Sequence, residues 1–306
     1  MANTFTIQRL DSLLCASDLL VTSRMLLNRL FFMLAVAYLQ ICGVLGCYVN
    51  CMLCVLGQPR WFNSIFPHLC WRLFNYKWRC LGRLANPSGR TLVVLTNHRC
   101  WADFFLDVHV TEGRAFWLAR WMVAIGLPTM GFVSHWSGVV YYFKRWAEFF
   151  PRFKRFLAHS EYPAVVLYPE GMRYLQDRPR PLRTGFMRFS YVNDLPVQVV
   201  ISRNKETVFC ETRASAQAGV TFYTNYGQML DPRDFATVDD FIIAINLAWV
   251  LQWDAIYSPS LRSLTDDYEH RPVDQPFSDA WMSRQRRIRL WSLYWLVTRL
   301  SVWAVY

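Results

Sequence analysis

No charged residue occurs between Arg29 and Arg60. As a helix rising about 1.5 Å per residue, such a run makes a rod of about 45 Å, longer than the roughly 30 Å hydrocarbon core of a bilayer. It reads as one tilted span, or as a hairpin broken around Gly43 and Gly46 or at Asn50 that enters and leaves by the same face. It is too long, begins too late and lacks the small-residue cleavage signature of a signal peptide. Downstream, Arg60, Arg72, Lys77, Arg79, Arg83 and Arg90 precede the first acidic residue, Asp103. Upstream, Arg9, Arg24 and Arg29 nearly cancel against Asp11 and Asp18. The positive-inside rule therefore places the chain after residue 60 on the cytosolic side.

Composition agrees. Only 18% of the 306 residues are charged, against about a quarter in soluble domains, while 54% are apolar and 17% aromatic. This excludes disorder and collagen, and the lack of repeats excludes coiled coil. The net charge is +11, and all basic residues except Lys77, Lys144, Lys154 and Lys205 are arginine. The planar guanidinium fork suits phosphate or carboxylate partners. Both lipid headgroups and nucleic acid fit that charge; the apolar excess favours lipid. Nine cysteines is an odd number, and Cys42, Cys47, Cys51 and Cys54 lie within the apolar run as small buried hydrophobes. No partner pair follows Cys51 and Cys54 at zinc-site distance, so no metal is expected, and a reduced, cytosol-facing domain is the natural setting.

Two further apolar stretches bear on the membrane. Trp121 to Phe143 is charge-free but broken by Gly126, Pro128, Gly131 and Gly138, and reads as buried core or membrane-dipping surface. Leu290 to Tyr306 is Trp-rich, interrupted by Arg299 and preceded by Arg284, Arg286, Arg287 and Arg289, which suits a helix at the headgroup boundary.

From about residue 85, β-branched runs alternate with helical patterns, the mark of an α/β domain. Strands are expected at Thr91–Thr96, Ala115–Leu118, Val139–Phe143, Ala164–Tyr168 and Val197–Ile201. Helices are expected at Trp101–His109, Trp146–His159 with a break at Pro151, Thr184–Val192 and Val238–Trp253. The organisation reads as an N-terminal segment (1–29), a membrane anchor (30–59), one α/β domain (60–275) and a basic, then apolar, membrane-associated C-terminal helix (276–306).

The chemistry concentrates where strands end. The strand from Thr91 runs into Asn97-His98, and Asp103 opens a helical pattern five residues after the histidine. An imidazole with a carboxylate to fix its tautomer is the apparatus of general-base catalysis. Five residues along one helix rotate by about 140°, so the pair can meet only if His98 precedes the helix on a loop. Alone, the heptapeptide would read as a surface histidine beside an unrelated aspartate. It does not stand alone. Tyr168-Pro169-Glu170-Gly171-Met172-Arg173 follows another strand, with a glycine permitting close approach and an arginine fit for phosphate. A third strand delivers Lys144 and Arg145, and Leu195-Pro196 introduces a fourth.

These residues resemble the motifs of the glycerolipid acyltransferases, which include the 1-acylglycerol-3-phosphate and other lysophospholipid acyltransferases. Asn97-His98 to Asp103 matches the family's Asn-His-x4-Asp motif in full. Tyr168 to Arg173 resembles Phe-Pro-Glu-Gly-Thr-Arg, with Met172 in place of Thr. Gly138 to Arg145 resembles the glycine-strand-Arg motif, with Lys144 at the expected arginine and Arg145 one step later. Leu195-Pro196 resembles the family's Val-Pro. The similarity covers about residues 60 to 210, and Arg183-Thr184-Gly185-Phe186 and Asn204-Lys205-Glu206 look most like the eukaryotic lysophosphatidylinositol and lysocardiolipin branch.

The resemblance implies a single acyltransferase domain with a mixed sheet flanked by helices, and direct acyl transfer from acyl-CoA to a lysophospholipid hydroxyl at an endoplasmic-reticulum-type membrane. It implies His98 as general base and Asp103 as its orienting partner. Glu170, Gly171 and Arg173, with Lys144 or Arg145, would hold the acceptor phosphate, and Asn97, Pro169 and Pro196 would support the site. Lysophosphatidate is the leading acceptor, followed by lysophosphatidylinositol or lysocardiolipin. No cofactor or nucleic acid is implied; acyl-CoA is a co-substrate and the bilayer a partner. Three rivals remain: an acyl-cysteine intermediate on Cys100, a non-catalytic lipid-binding protein on the same fold, and a nucleic-acid binder. The intact His98/Asp103 pair opposes the second, and the absence of a recognition motif opposes the third. No Gly-x-Ser-x-Gly elbow or phosphate loop is present.

Overall fold

Short apolar strands and amphipathic helices follow one another as the alternating pattern requires. The computed structural model describes residues 21–45, 61–120, 139–142, 146–160 and 162–273. In order these form α1 (Val21–Leu45), α2 (Trp61–Phe74), β1 (Lys77–Leu81), β2 (Leu92–Thr96), α3 (Asp103–Val110), β3 (Ala115–Arg120) and β4 (Val139–Tyr142). Then come α4 (Trp146–His159), β5 (Ala164–Leu167), α5 (Gly185–Val192), β6 (Val197–Arg203), α6 (Lys205–Val208), β7 (Phe209–Cys210), β8 (Ser215–Ala216) and β9 (Thr221–Leu230). The helices α7 (Val238–Tyr257) and α8 (Leu261–Asp267) precede a final β10 (Glu269–Arg271).

Eight of the strands make one mixed sheet in the order β10-β1-β9-β6-β2-β5-β3-β4, and β7 and β8 form a separate two-stranded ribbon. The central strands are buried along their length, as a sheet covered on both faces requires. β6, β2, β5, β3 and β4 run parallel, so their C-terminal ends open on one edge. β9 lies antiparallel to β6, with a register shift between Gln198 and Val200. Gln198 is buried there and satisfied by three bonds: it accepts from the Ala85 amide at 2.9 Å and donates to the carbonyls of Arg83 at 3.1 Å and Gly227 at 2.8 Å. Gly227 is required by that close approach, since a Cβ would lie 2.9 Å from the Val199 carbonyl.

Two apolar layers flank the sheet. One gathers Phe74, Tyr76, Phe105, Leu106 and Phe209 beneath α2 and α3, and receives Phe32 and Ala35 of α1. The other packs Phe153, Phe189, Phe241, Ile245, Trp249 and Trp253 from α4, α5 and α7 against Val197, Val199 and Ile201. The buried residues of α7 recur at helical spacing, and Thr237 caps its N-terminus by accepting from the Asp240 amide at 3.2 Å.

Helix α1 is the one described helix long and apolar enough to cross a membrane. It starts at Val21, ahead of the charge-free run, and so carries Arg24 and Arg29; the remainder of the expected anchor, 46–59, lies outside the described residues. Its first half is exposed, while its second half docks through Phe32, stacked on Phe209 at 4.9 Å. The broken apolar stretch up to Gly138 and the C-terminal segment from 276 onward also lie outside the described residues. The break expected at Pro151 is absent. Helix α4 continues through it, because proline in its second turn forfeits a single backbone bond while Phe153 remains buried against the sheet.

Candidate active site

The last residue of β2 is Thr96, and the chain crosses a short loop before α3 starts at Asp103. His98 sits on that loop, so it can face back onto the helix start. Its Nδ1 lies 2.6 Å from Asp103 Oδ2. The same oxygen accepts from the amides of Arg99 at 2.7 Å and Cys100 at 3.2 Å, tying the loop to the aspartate. Asp103 is fully buried, whereas the His98 side chain keeps 19% of its surface exposed. With Nδ1–H donated to Asp103, Nε2 carries the lone pair, and no described residue hydrogen-bonds it.

A second tier of charge lies behind the pair. Lys205, at the start of α6 after β6, is fully buried and reaches Asp103 Oδ1 at 3.0 Å and Asp107 Oδ1 at 3.0 Å, while donating to the Asn97 carbonyl at 3.1 Å. Burial opposes charge on Asp103, but the Lys205 ammonium and the His98 hydrogen bond outweigh it and hold the carboxyl down to about 2. Asp107 is pushed up to about 6 by burial, with Lys205 pulling it down and the Asp103 charge adding to the rise. Tyr168, at the end of β5, stacks on His98 with ring centroids 4.2 Å apart and donates its hydroxyl to Asp107 Oδ2 at 3.0 Å. Burial holds that phenol protonated, with the Asp107 charge reinforcing it.

Glu170 faces this same loop. Its Oε2 accepts from the His98 amide at 2.8 Å, and its buried Oε1 has no hydrogen-bond partner among the described residues. Burial pushes its carboxyl up to about 7, against the pull of the His98 amide. Turned onto the His98 amide, this buried acid ties the strand-end loop after β5 to the one after β2. Gly171 adopts a φ of +71°, and a Cβ there would lie 2.4 Å from Nε of Arg183. The half-exposed Arg173 pairs with Glu211, whose other oxygen accepts from the Trp101 amide at 2.9 Å.

Of the expected supporting residues, Asn97 and Pro169 lie at this edge, whereas Pro196, just ahead of the first residue of β6, lies at the opposite edge of the sheet. Asn97 is buried and clasps Ser202 on the neighbouring β6, donating to its carbonyl at 2.7 Å and accepting from its amide at 2.9 Å. The Pro169 carbonyl accepts from the Arg183 amide at 2.9 Å, and the Pro196 carbonyl from the Val93 amide at 2.8 Å. β4 points its C-terminal end to the same edge, but Lys144 and Arg145 lie outside the described residues. Cys100 is fully buried, and burial pushes its thiol well up, with the Asp103 and Glu206 charges adding to the rise.

The sequence reading of the site passed over three contributors. Lys205 sits just past a strand end, like the other polar residues of the site, and that position was the available signal. Tyr168, the first residue of the second motif, contributes through its hydroxyl and ring, to which the sequence reading gave no role. Arg99 is buried and donates to Glu206 and to the carbonyls of Tyr174, Leu175 and Gln176, fixing the loop that follows Arg173.

An open α/β sheet with a histidine–aspartate pair at its strand ends is the arrangement of an enzyme domain that works by general-base catalysis. Residues 79–203 match the family model described as Acyltransferase. The fold is similar to the crystal structure of the 1-acyl-sn-glycerophosphate (LPA) acyltransferase PlsC from Thermotoga maritima, with a TM-score of 0.61 and 14% sequence identity over 78% of this chain and 98% of that one. At that identity the likeness is one of fold. No curated protein matches the chain in sequence. The domain match agrees with the acyltransferase motifs that the sequence resembles.

Proposed function

We propose that the protein transfers a fatty acyl chain from acyl-CoA to the free hydroxyl of a lysophospholipid, with 1-acyl-sn-glycerol-3-phosphate as acceptor and phosphatidic acid as product. The observation that carries this reading is the 2.6 Å contact of His98 Nδ1 with Asp103, which leaves Nε2 as a base at a partly open strand end. In the reaction, Nε2 takes the hydroxyl proton as the oxygen attacks the thioester carbonyl. Collapse of the tetrahedral intermediate breaks the carbon–sulfur bond, and the departing thiolate takes the proton back. A positioned base contributes about 10² to 10⁴ in rate.

Arg173, with Lys144 or Arg145, would hold the acceptor phosphate, and Gly171 would let it approach the backbone. Arg173 must then exchange Glu211 for the phosphate. Glu170, Asn97 and Pro169 would support the loops of the site. The helix α1 and the rest of the apolar run would hold this site at the cytosolic face of an endoplasmic-reticulum-type membrane, within reach of both acyl chains.

The test is CoA release from oleoyl-CoA by the membrane-reconstituted protein across a panel of lysophospholipids, beside His98→Ala. Release with lysophosphatidate, reduced about 10² to 10⁴-fold in the variant, is the expected result. Preference for lysophosphatidylinositol or lysocardiolipin would reassign the acceptor. No release with any acceptor from folded protein would leave a lipid-binding role, and release that survives His98→Ala would displace the base.

A further inference from the structure

Three fully buried charges stand behind the histidine where one would suffice. Asp103 divides its oxygens: Oδ2 serves His98 and two amides, and Oδ1 faces Lys205. Lys205 in turn divides its charge between Asp103 and Asp107, with 3.0 Å to one oxygen of Asp107 and 3.2 Å to the other. If Asp103 and Lys205 were alone, the ammonium would neutralise the carboxylate and the imidazole would face no net charge. Asp107 adds the missing negative charge, so the trio presents one net negative charge to His98.

The other groups around the pair do not supply it. Tyr168 is a neutral phenol that donates to Asp107 and stacks on the imidazole. Glu170 turns Oε2 to the His98 amide. Arg99 directs its guanidinium away, to Glu206, Asp177 and three carbonyls. Cys100 stays a thiol.

We propose that Lys205 and Asp107 are a charge-balancing pair of positioning residues: Lys205 fixes Asp103 on His98, and Asp107 offsets Lys205 so that the developing imidazolium still meets one net negative charge. This rests on His98 being the base of the proposed acyl transfer. A buried ammonium needs both partners to stay charged there, which is why the pair belongs together. The hydroxyl of Tyr168 completes the arrangement, giving Asp107 a second donor beside Lys205.

The experiment compares wild type, Asp107→Asn and the double variant Lys205→Met/Asp107→Asn by the pH dependence of CoA release with lysophosphatidate. Asp107→Asn leaves the trio neutral. Its acidic limb of kcat/KM should move about one pH unit lower, and kcat should fall about tenfold with KM for the acceptor unchanged. The double variant leaves Asp103 as the only charge, so the limb should return to its wild-type position, while kcat should recover only in part because Lys205 no longer fixes Asp103. A pair that only stiffened the fold would give a double variant at least as impaired as Asp107→Asn, with no displacement of the limb; either result overturns the proposal. Lys205→Met alone, which buries two uncompensated carboxylates, is not needed for this comparison. If wild type releases no CoA with any acceptor, the acyltransferase reading fails first. A histidine-ring NMR titration of the same three proteins then reads the charge balance directly, and an unmoved His98 signal in Asp107→Asn overturns the proposal without reference to turnover.

Discussion

Substitutions at single residues separate the roles in this site. Cys100 lies inside the first motif, yet its fully buried, protonated thiol is a poor nucleophile. Cys100→Ala is therefore expected to keep CoA release within about threefold of wild type; a loss comparable to His98→Ala would revive an acyl-cysteine intermediate. Glu170 makes a different prediction. Its folded-state carboxyl lies above the ordinary 4.5, so the folded state binds that proton more tightly than the unfolded state does. The stability it contributes in acid is then lost as pH rises from about 4.5 through about 7. Glu170→Gln, which cannot ionise, should raise the melting temperature relative to wild type at about pH 8 and change it little at about pH 5. Equal effects at both pH values would contradict this assignment. Gly171→Ala combines a left-handed backbone with a collision at Arg183, and should cost about 1–3 kcal/mol of stability by thermal unfolding. His98, Asp103, Gly171 and Arg173 could be picked out of the sequence because each lies close to the others within a short motif. Lys205 and Tyr168 also lie in motifs at strand ends, but their contacts depend on which strand ends are neighbours, and no local pattern carries that.

At the level of elements, what was legible followed the strength of local periodicity. The buried central strands β2, β5 and β6 are continuous apolar runs, and α7 repeats its large apolar residues at helical spacing. Strands β1, β9 and β10 escaped because β1 and β10 are short and β9 carries a polar stretch; they are strands because each finds a partner strand to pair with. Helix α4 shows the opposite error, where a local rule about proline yielded to the packing of Phe149, Phe150 and Phe153 on α5. The cap of α7 can be tested separately. Thr237→Ala removes the hydroxyl that receives the Asp240 amide and should cost about 1 kcal/mol in chemical denaturation, leaving CoA release unchanged.

Across the whole molecule, the N-terminal helix is part of the fold as well as a candidate anchor. Phe32 and Ala35 are buried in the layer that also holds Phe74, Phe105 and Phe209. Deleting residues 1–45 should therefore do more than release the protein from membranes. It strips Phe74 and Phe209 of their cover, and the truncated protein should melt lower in detergent or aggregate. A truncated protein that kept the full melting temperature would mean the helix is only a tether. The charge-free run marked this segment at once; its docking was hidden, because a side chain facing lipid and one facing a protein core look alike in sequence.

Asp103, Tyr168 and Lys205 are delivered by three different strands that are far apart in the chain and adjacent only in the sheet. A slip of one residue in the pairing of β6 with β2 would shift Lys205, just past the end of β6, by about 3.4 Å and break its contacts with two buried carboxylates. Apolar runs as uniform as these tolerate sliding, since one valine replaces another at little cost. The ion cluster does not. It therefore doubles as the sheet's alignment key, penalising every near-native register in which the strands are paired but the enzyme would be dead.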